Sequence, residues 1–393
     1  MKIRDKQTRY ADRILILVAL LIIIAMVGSS CIQGLRTVGW SGGGVSGDTL
    51  YVGSEEGRLV SVNMTDDSRR WSETLQGPAT SGGLFGCSSL TGGCGTGGTN
   101  VAIYGTPVID GELVYIAGYN GKVYAYTKDG LGIRWIYPRD GYLFPIVGGV
   151  IVAEDEVFVG DSEGIIYALD AETGDFIWAF ATEIEESDRD KIWSIPAVSN
   201  GTLYIGSFNK KIYAVNTDDG TKKWEYLTEG SVIAQPLIVN GTIYVGSLDR
   251  NFYALDAESG NLKWQFAGDN WFWGKAVILD GKIYAGNLDG KVYVLDPANG
   301  NLIGEYDLEG PLAASPVIHE EKIIFATSEG SIYSIDTVSG EKRLLATLEE
   351  IKINGPLAIN DGIIYAHTTD VDLRRINADT GAILPPISLK SGA

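Results

Sequence analysis

The stretch IYVGSLDRNFYALDAESGNLKW, residues 243–264, decides how the whole chain is read. It contains two short strands around a tight turn and then the start of a third strand. Aromatic and β-branched residues alternate with others in NFYALD, and Ser259-Gly260 supplies the next turn. Forty residues earlier the chain reads LYIGSFNKKIYAVNTDDGTKKW (203–224), and forty later IYAGNLDGKVYVLDPANGNLIG (283–304). A period of this length marks a repeat architecture.

Alignment on the aromatic of the second strand gives Tyr51, Tyr115, Phe158, Tyr204, Tyr244, Tyr284, Phe325 and Tyr365, eight units of about forty residues. The first is lengthened by a Gly/Ser/Cys insertion at about 77–100. Asp110-Gly111, Asn200-Gly201, Asn240-Gly241, Asp280-Gly281 and Asp361-Gly362 read as type I′ hairpins between strands one and two, because both central residues of such a turn need positive φ. Two further turns per unit make four antiparallel strands. The expected fold is therefore all-β: an eight-bladed β-propeller of four-stranded blades over residues 32–393. Trp71, Trp135, Trp178, Trp224 and Trp264 start the fourth strand of blades one to five, where they are expected to pack between blades. Gly304, Leu344 and Pro385 take that place in the last three.

Residues 1–31 follow other rules. MKIRDKQTRYADR is basic, and the run Ile14–Val27 is uninterruptedly apolar, the pattern of a secretory signal or a membrane anchor helix. Fourteen residues make a helix of about 21 Å, short of a ~30 Å hydrocarbon layer, although counting on through Gly28–Ile32 roughly spans it. Cys31 behind small residues resembles the lipobox of bacterial lipoproteins, with Gly28 where that pattern usually has Leu. Lipidation at Cys31, an uncleaved anchor and a cleaved signal all remain open, and all place the body outside the cytoplasm, on the periplasmic or cell-surface side.

The remainder carries 26 Lys/Arg against 48 Asp/Glu, a net charge near −22, which repels phosphate backbones and argues against nucleic-acid binding. Cys87 and Cys94, with six residues between them, suggest a structural disulfide in an exported protein. Zinc would need more ligands, and His319 and His367, the two histidines, lie in other repeats.

EGIIYALDAETGDFIWAF (163–180) and RNFYALDAESGNLKWQF (250–266) resemble the pyrroloquinoline-quinone (PQQ) type propeller repeat, and the resemblance runs over residues 38–389. Two families carry that repeat: quinoprotein dehydrogenases and the non-catalytic BamB-like propellers of outer-membrane protein assembly. Eight blades, the length and the Cys31 motif favour the second. The resemblance then implies a membrane-tethered, monomeric scaffold for other envelope or surface proteins, without cofactor. The alternative is a redox protein using PQQ over Ca²⁺, but the vicinal Cys-Cys pair common in those enzymes is absent. Asp170, Asp256, Asp296 and Asp336 recur once per blade at one register, which reads as framework.

Function is sought in what breaks the repeat. Eleven residues before the second-strand aromatic, blades four to seven carry Trp193, Ile233, Trp273 and Ala314. Tyr104 precedes Pro107 in the same way, and Tyr142 and Phe144 precede Pro145. Tyr104, Tyr142, Phe144, Trp193, Trp271 and Trp273 are thus expected to form a broken aromatic rim at one end of the central channel.

Overall fold

The computed structural model describes residues 41–77, 101–183, 185, 190–353, 355–370 and 372–391, and in it the repeats become eight four-stranded antiparallel sheets. The blades span residues 44–71, 108–137, 150–181, 197–227, 237–267, 277–307, 317–347 and 358–388, each a meander in chain order. Cys31, Cys87, Cys94, the 14–27 run and nearly all of the insertion lie outside the described residues. Among the described residues no helix is long and apolar enough to cross a membrane.

Blade five shows how the sequence makes a blade. Its innermost strand is Leu237–Val239, followed by Thr242–Gly246, Asn251–Asp256 and the outermost Leu262–Ala267. The second strand is buried along its whole length and the third nearly so, because neighbouring blades cover both faces. The outer strand keeps only alternate residues covered. Asn240 and Gly241 both have positive φ, 50° and 69°, as a two-residue hairpin requires.

One hydrophobic core lies between each pair of neighbouring blades. Tyr244 and Trp264 of blade five meet Ile283, Ala285 and Tyr293 of blade six, and the same arrangement recurs around the molecule. Tyr365, Leu373 and Ile387 of blade eight meet Leu50, Val52 and Val60 of blade one, which closes the ring. Among the described residues no strand is exchanged at this seam, and side chains hold it. Arg375 pairs with Asp67 at 2.7 Å, Trp71 Nε1 donates to the Leu389 carbonyl at 3.4 Å, and His367 Nδ1 lies 3.0 Å from the Ser41 carbonyl.

The fourth-strand tryptophans and the third-turn glycines form one device. Trp135, Trp178, Trp224 and Trp264 donate their Nε1–H to the carbonyls of Ala171, Thr217, Ala257 and Pro297 in the following blade. A Cβ added to Gly174, Gly220, Gly260 or Gly300 would fall 2.5–2.7 Å from the indole below it. The turn glycine of one blade therefore rests on the tryptophan of the blade before.

Five positions depart from the sequence reading. In blade eight Leu384, opposite Arg375, rather than Pro385 takes the place that Trp264 has in blade five. In blade seven Ile324, not Phe325, pairs with Val317 as Tyr284 pairs with Val277. Phe325 is shifted by one residue and so faces blade six, among Tyr284, Val292 and Leu312. In blade one Arg70 occupies the register of the other tryptophans, opposite Ser61, and its guanidinium donates to the Asp129 carbonyl of blade two. Trp71 turns the other way, toward blade eight, because blade one lacks the bulge that the other blades have there. In blade seven the corresponding residue is Arg343 rather than Leu344, with Nη1 and Nη2 donating to the carbonyls of Asp379 and Thr380. Finally, Asp110 ends its strand opposite Leu113, so the blade-two turn is Gly111–Glu112 and only Gly111 has positive φ.

Candidate functional site

The segments leading into the innermost strands of blades two to eight surround a cavity of about 390 Å³ at the propeller axis. Because the blades share one register, most of the lining comes from two recurring positions. The first, eleven before the second-strand residue, is Tyr104, Val147, Trp193, Ile233, Trp273 and Ala313 in blades two to seven. The second, two residues on, holds Thr106 in blade two and Ile195, Gln235, Lys275, Ser315 and Pro356 in blades four to eight. The lining is mostly apolar, and among the described residues it includes no Asp or Glu.

The expected aromatic rim divides into two groups. Tyr104, Trp193 and Trp273 are half-buried and line the cavity. Tyr142, Phe144 and Trp271 do not line it and stand at the surface, 45%, 49% and 43% exposed. In blade three Val147 takes the lining position, so Tyr142 and Phe144 lie on a strap ahead of it. The Leu143 N–H of that strap donates to the Gly121 carbonyl of blade two at 2.9 Å. The one-residue shift in blade seven likewise places Ala313 on the cavity, whereas Ala314 is buried in the core between blades seven and eight.

Several site residues went unnoticed in the sequence. Tyr119, on the second hairpin of blade two, is exposed and packs edge-on against Tyr104 at 5.7 Å. Phe208, Leu248 and Leu288 fill its place in blades four to six, so its phenol hydroxyl was the available signal. Lys122 Nζ sits 4.9 Å above the Tyr142 ring. Tyr119, Tyr142 and Phe144 thus form an exposed aromatic patch on blades two and three, beside the channel end. Trp271 stands apart on blade six, where its carbonyl accepts from the Leu288 N–H. Gln235, Lys275 and Ser315 went unnoticed because the repeat there is short and irregular in composition.

The recurrent carboxylates serve the turns. Asp170 Oδ1 accepts from the Glu172 and Thr173 N–H groups, and Asp256 Oδ1 from the Ser259 N–H and hydroxyl. These bonds hold Asp170 below the ordinary carboxylate range and bring Asp256 down to about 2. Asp161 is different. It is buried, and desolvation pushes its pKa up, although its Oδ1 accepts from the Glu163 and Ile165 N–H groups and Tyr167 donates to its Oδ2.

Comparison with known proteins agrees with this geometry. A family model described as outer membrane protein assembly factor BamB matches residues 32–179 and 181–384. The chain belongs to that family. Among curated BamB proteins, that of Escherichia coli (strain K12) is 31% identical over 90 residues, 22% of this chain and 23% of the relative. That of Bordetella pertussis (strain Tohama I) is 23% identical over 180 residues, 46% of this chain and 41% of the relative. These alignments thus span less than half of each BamB relative. A quinohemoprotein alcohol dehydrogenase, ADH-IIG of Pseudomonas putida, is 27% identical over 137 residues, 31% of this chain and 19% of that enzyme. The crystal structure of BamB from Moraxella catarrhalis superposes with a TM-score of 0.63 at 18% identity, over 86% of this chain and 96% of that one. A computationally designed protein, Ika8, superposes with a TM-score of 0.67 at 14% identity, over 85% and 94% of the two chains. Likeness to these two structures shows the propeller fold alone.

PQQ over Ca²⁺ was the alternative raised by the sequence, and that chemistry needs carboxylate ligands and a carboxylate base. The cavity of this BamB-family chain offers neither among its described lining residues, so its donor set does not fit that group. His319, Glu320 and Asp379 cluster within reach of one ion, between the first turn of blade seven and the third turn of blade eight. There Lys322 Nζ already lies 2.7 Å from Asp379, and the group forms an ion-pair cluster without invoking a metal.

Proposed function

We propose that this chain is a non-catalytic, extracytoplasmic scaffold that binds other envelope proteins, with outer-membrane protein assembly as its setting. The observation that carries the reading is the exposed patch of Tyr119, Tyr142 and Phe144 beside the channel end. Large rings held at the surface on a rigid ring of sheets are the usual anchors of a protein contact. Family membership supports the setting, and so does the acidic body, which keeps the protein off nucleic acids and anionic lipid surfaces. Tethering through the N-terminus, by Cys31 or by an anchor helix, and a monomeric propeller belong to the same proposal.

The test is crosslinking in intact membranes followed by mass spectrometry, comparing the natural chain with a Tyr142→Ser, Phe144→Ser double variant. Recovery of outer-membrane assembly components by the natural chain, and their loss from the variant, is the expected result. Equal recovery by both would refute the patch. Recovery of redox enzymes alone would refute the setting.

A further inference from the structure

The chain as a whole is strongly acidic, with a formal net charge of −19, yet the one charged side chain among the cavity's lining residues is a cation, Lys275. At its register the other lining blades carry Thr106, Ile195, Gln235, Ser315 and Pro356, so the lysine is a singular departure from the repeat. Its ammonium has no hydrogen-bond or ion-pair partner among the described residues. Its backbone N–H donates to Ser315 Oγ at 3.2 Å. That contact leaves the Ser315 hydroxyl proton free to point elsewhere, and it meets no acceptor among the described residues. An ammonium and a hydroxyl proton without acceptors form a donor set that calls for an acceptor-only group. Burial pushes the Lys275 pKa down, as expected of a cation whose counter-charge is missing.

Around these donors the walls are flat and apolar: the rings of Tyr104, Trp193 and Trp273 with Ile195 and Ile233. The volume of about 390 Å³ falls in the range of small-molecule sites.

We propose that the channel cavity binds a small organic monoanion, a carboxylate carried on a flat apolar body, with Lys275 as its counter-ion, Ser315 as a hydrogen-bond donor and the rings of Tyr104, Trp193 and Trp273 as walls. The proposal goes beyond the scaffold reading and does not depend on it, because none of the patch residues Tyr119, Tyr142 and Phe144 lines the cavity.

The experiment titrates the full chain with 3-phenylpropionate, with its neutral amide and with inorganic phosphate, followed by calorimetry and tryptophan fluorescence. Saturable one-to-one binding of the acid, with the amide at least about tenfold weaker, is expected. Lys275→Met should weaken the acid by at least about tenfold and leave the amide unchanged. Ser315→Ala keeps the lysine and should weaken the acid severalfold. It carries the test if Lys275→Met does not fold, and unchanged acid binding by it overturns the donor role of Ser315. Absence of saturable binding by the acid overturns the site. Equal affinity for acid and amide, or an unchanged Lys275→Met variant, overturns the role of the charge. Phosphate binding as tightly as the acid overturns the apolar body.

Discussion

Replacing Gly260 and Gly340 by alanine separates two effects that the fold superimposes. Both glycines close the third turn of a blade, with φ of 74° and 73°. An alanine at either position carries the left-handed penalty of about 1–2 kcal/mol. Stiffening of the unfolded chain offsets about 0.4–1 kcal/mol of that. The surroundings differ. At Gly260 the new Cβ would lie 2.6 Å from Cδ2 of Trp224, whereas at Gly340 its nearest neighbour is Tyr306 Oη at 3.6 Å. The reason is one residue in the preceding blade, Trp224 in blade four against Gly304 in blade six. Overpacking the indole should add about 1–3 kcal/mol to Gly260→Ala alone. With an unfolding entropy of about 2.1 cal/mol/K per residue over about 350 residues, 1 kcal/mol corresponds to about 1.4 °C. Gly260→Ala should therefore melt about 1–4 °C below Gly340→Ala by circular dichroism. In a Trp224→Ala background the difference should vanish, which a double-mutant cycle reads directly. Equal melting of the two single variants would show that the indole yields freely and that the glycine–tryptophan contact is not what couples blades.

Two other perturbations test the buried polar groups. Asn287 of blade six stands where blade three has Asp161 and accepts from the Asp289 and Lys291 N–H groups in the same way. Desolvation raises the folded-state pKa of Asp161, so wild-type stability falls as pH rises through that value. Asp161→Asn should melt higher at neutral pH, with the gain disappearing below about pH 4; a lower melting point at pH 7 would contradict this. At the seam, His367 must be the neutral tautomer with Nδ1–H donating to the Ser41 carbonyl, and burial pushes its pKa below 6.5. Its contribution is full above pH 6.5 and is lost as pH falls toward the folded-state value. Melting curves from pH 8 to 5 should therefore fall more steeply for the natural chain than for His367→Gln, and parallel curves would remove the histidine from the seam.

Much of the blade is local chemistry, and local chemistry is written in the chain. A two-residue turn with both φ values positive favours Asn-Gly or Asp-Gly, and a strand covered on both faces favours apolar residues throughout, so turns and strands could be read from composition and period. Registers failed where the local signal was doubled. In Ile324-Phe325 two large apolar residues adjoin, and in Arg70-Trp71 the bulky ring sits beside the residue that takes its usual place. A one-residue choice there depends on which neighbouring blade offers the better pocket, and no single repeat contains that information.

The candidate site was legible to the same degree and for the same reason. Counting back from the second strand found Tyr104, Trp193 and Trp273, because a strict repeat carries each of them to the same height around the axis. It could not divide them from Tyr142, Phe144 and Trp271, whose exposure depends on how the entering segment lies over a neighbouring turn, that of blade two for Tyr142 and Phe144 and that of blade six for Trp271. By itself the sequence determined eight blades, their order and the acidic character of the body, all of which follow from short-range periodicity and charge. Only the tertiary structure decided that a lone lysine, an indole ring and a hydroxyl from three different blades line one cavity. Those residues lie 40 to 122 positions apart, and closure of the ring is what brings them together.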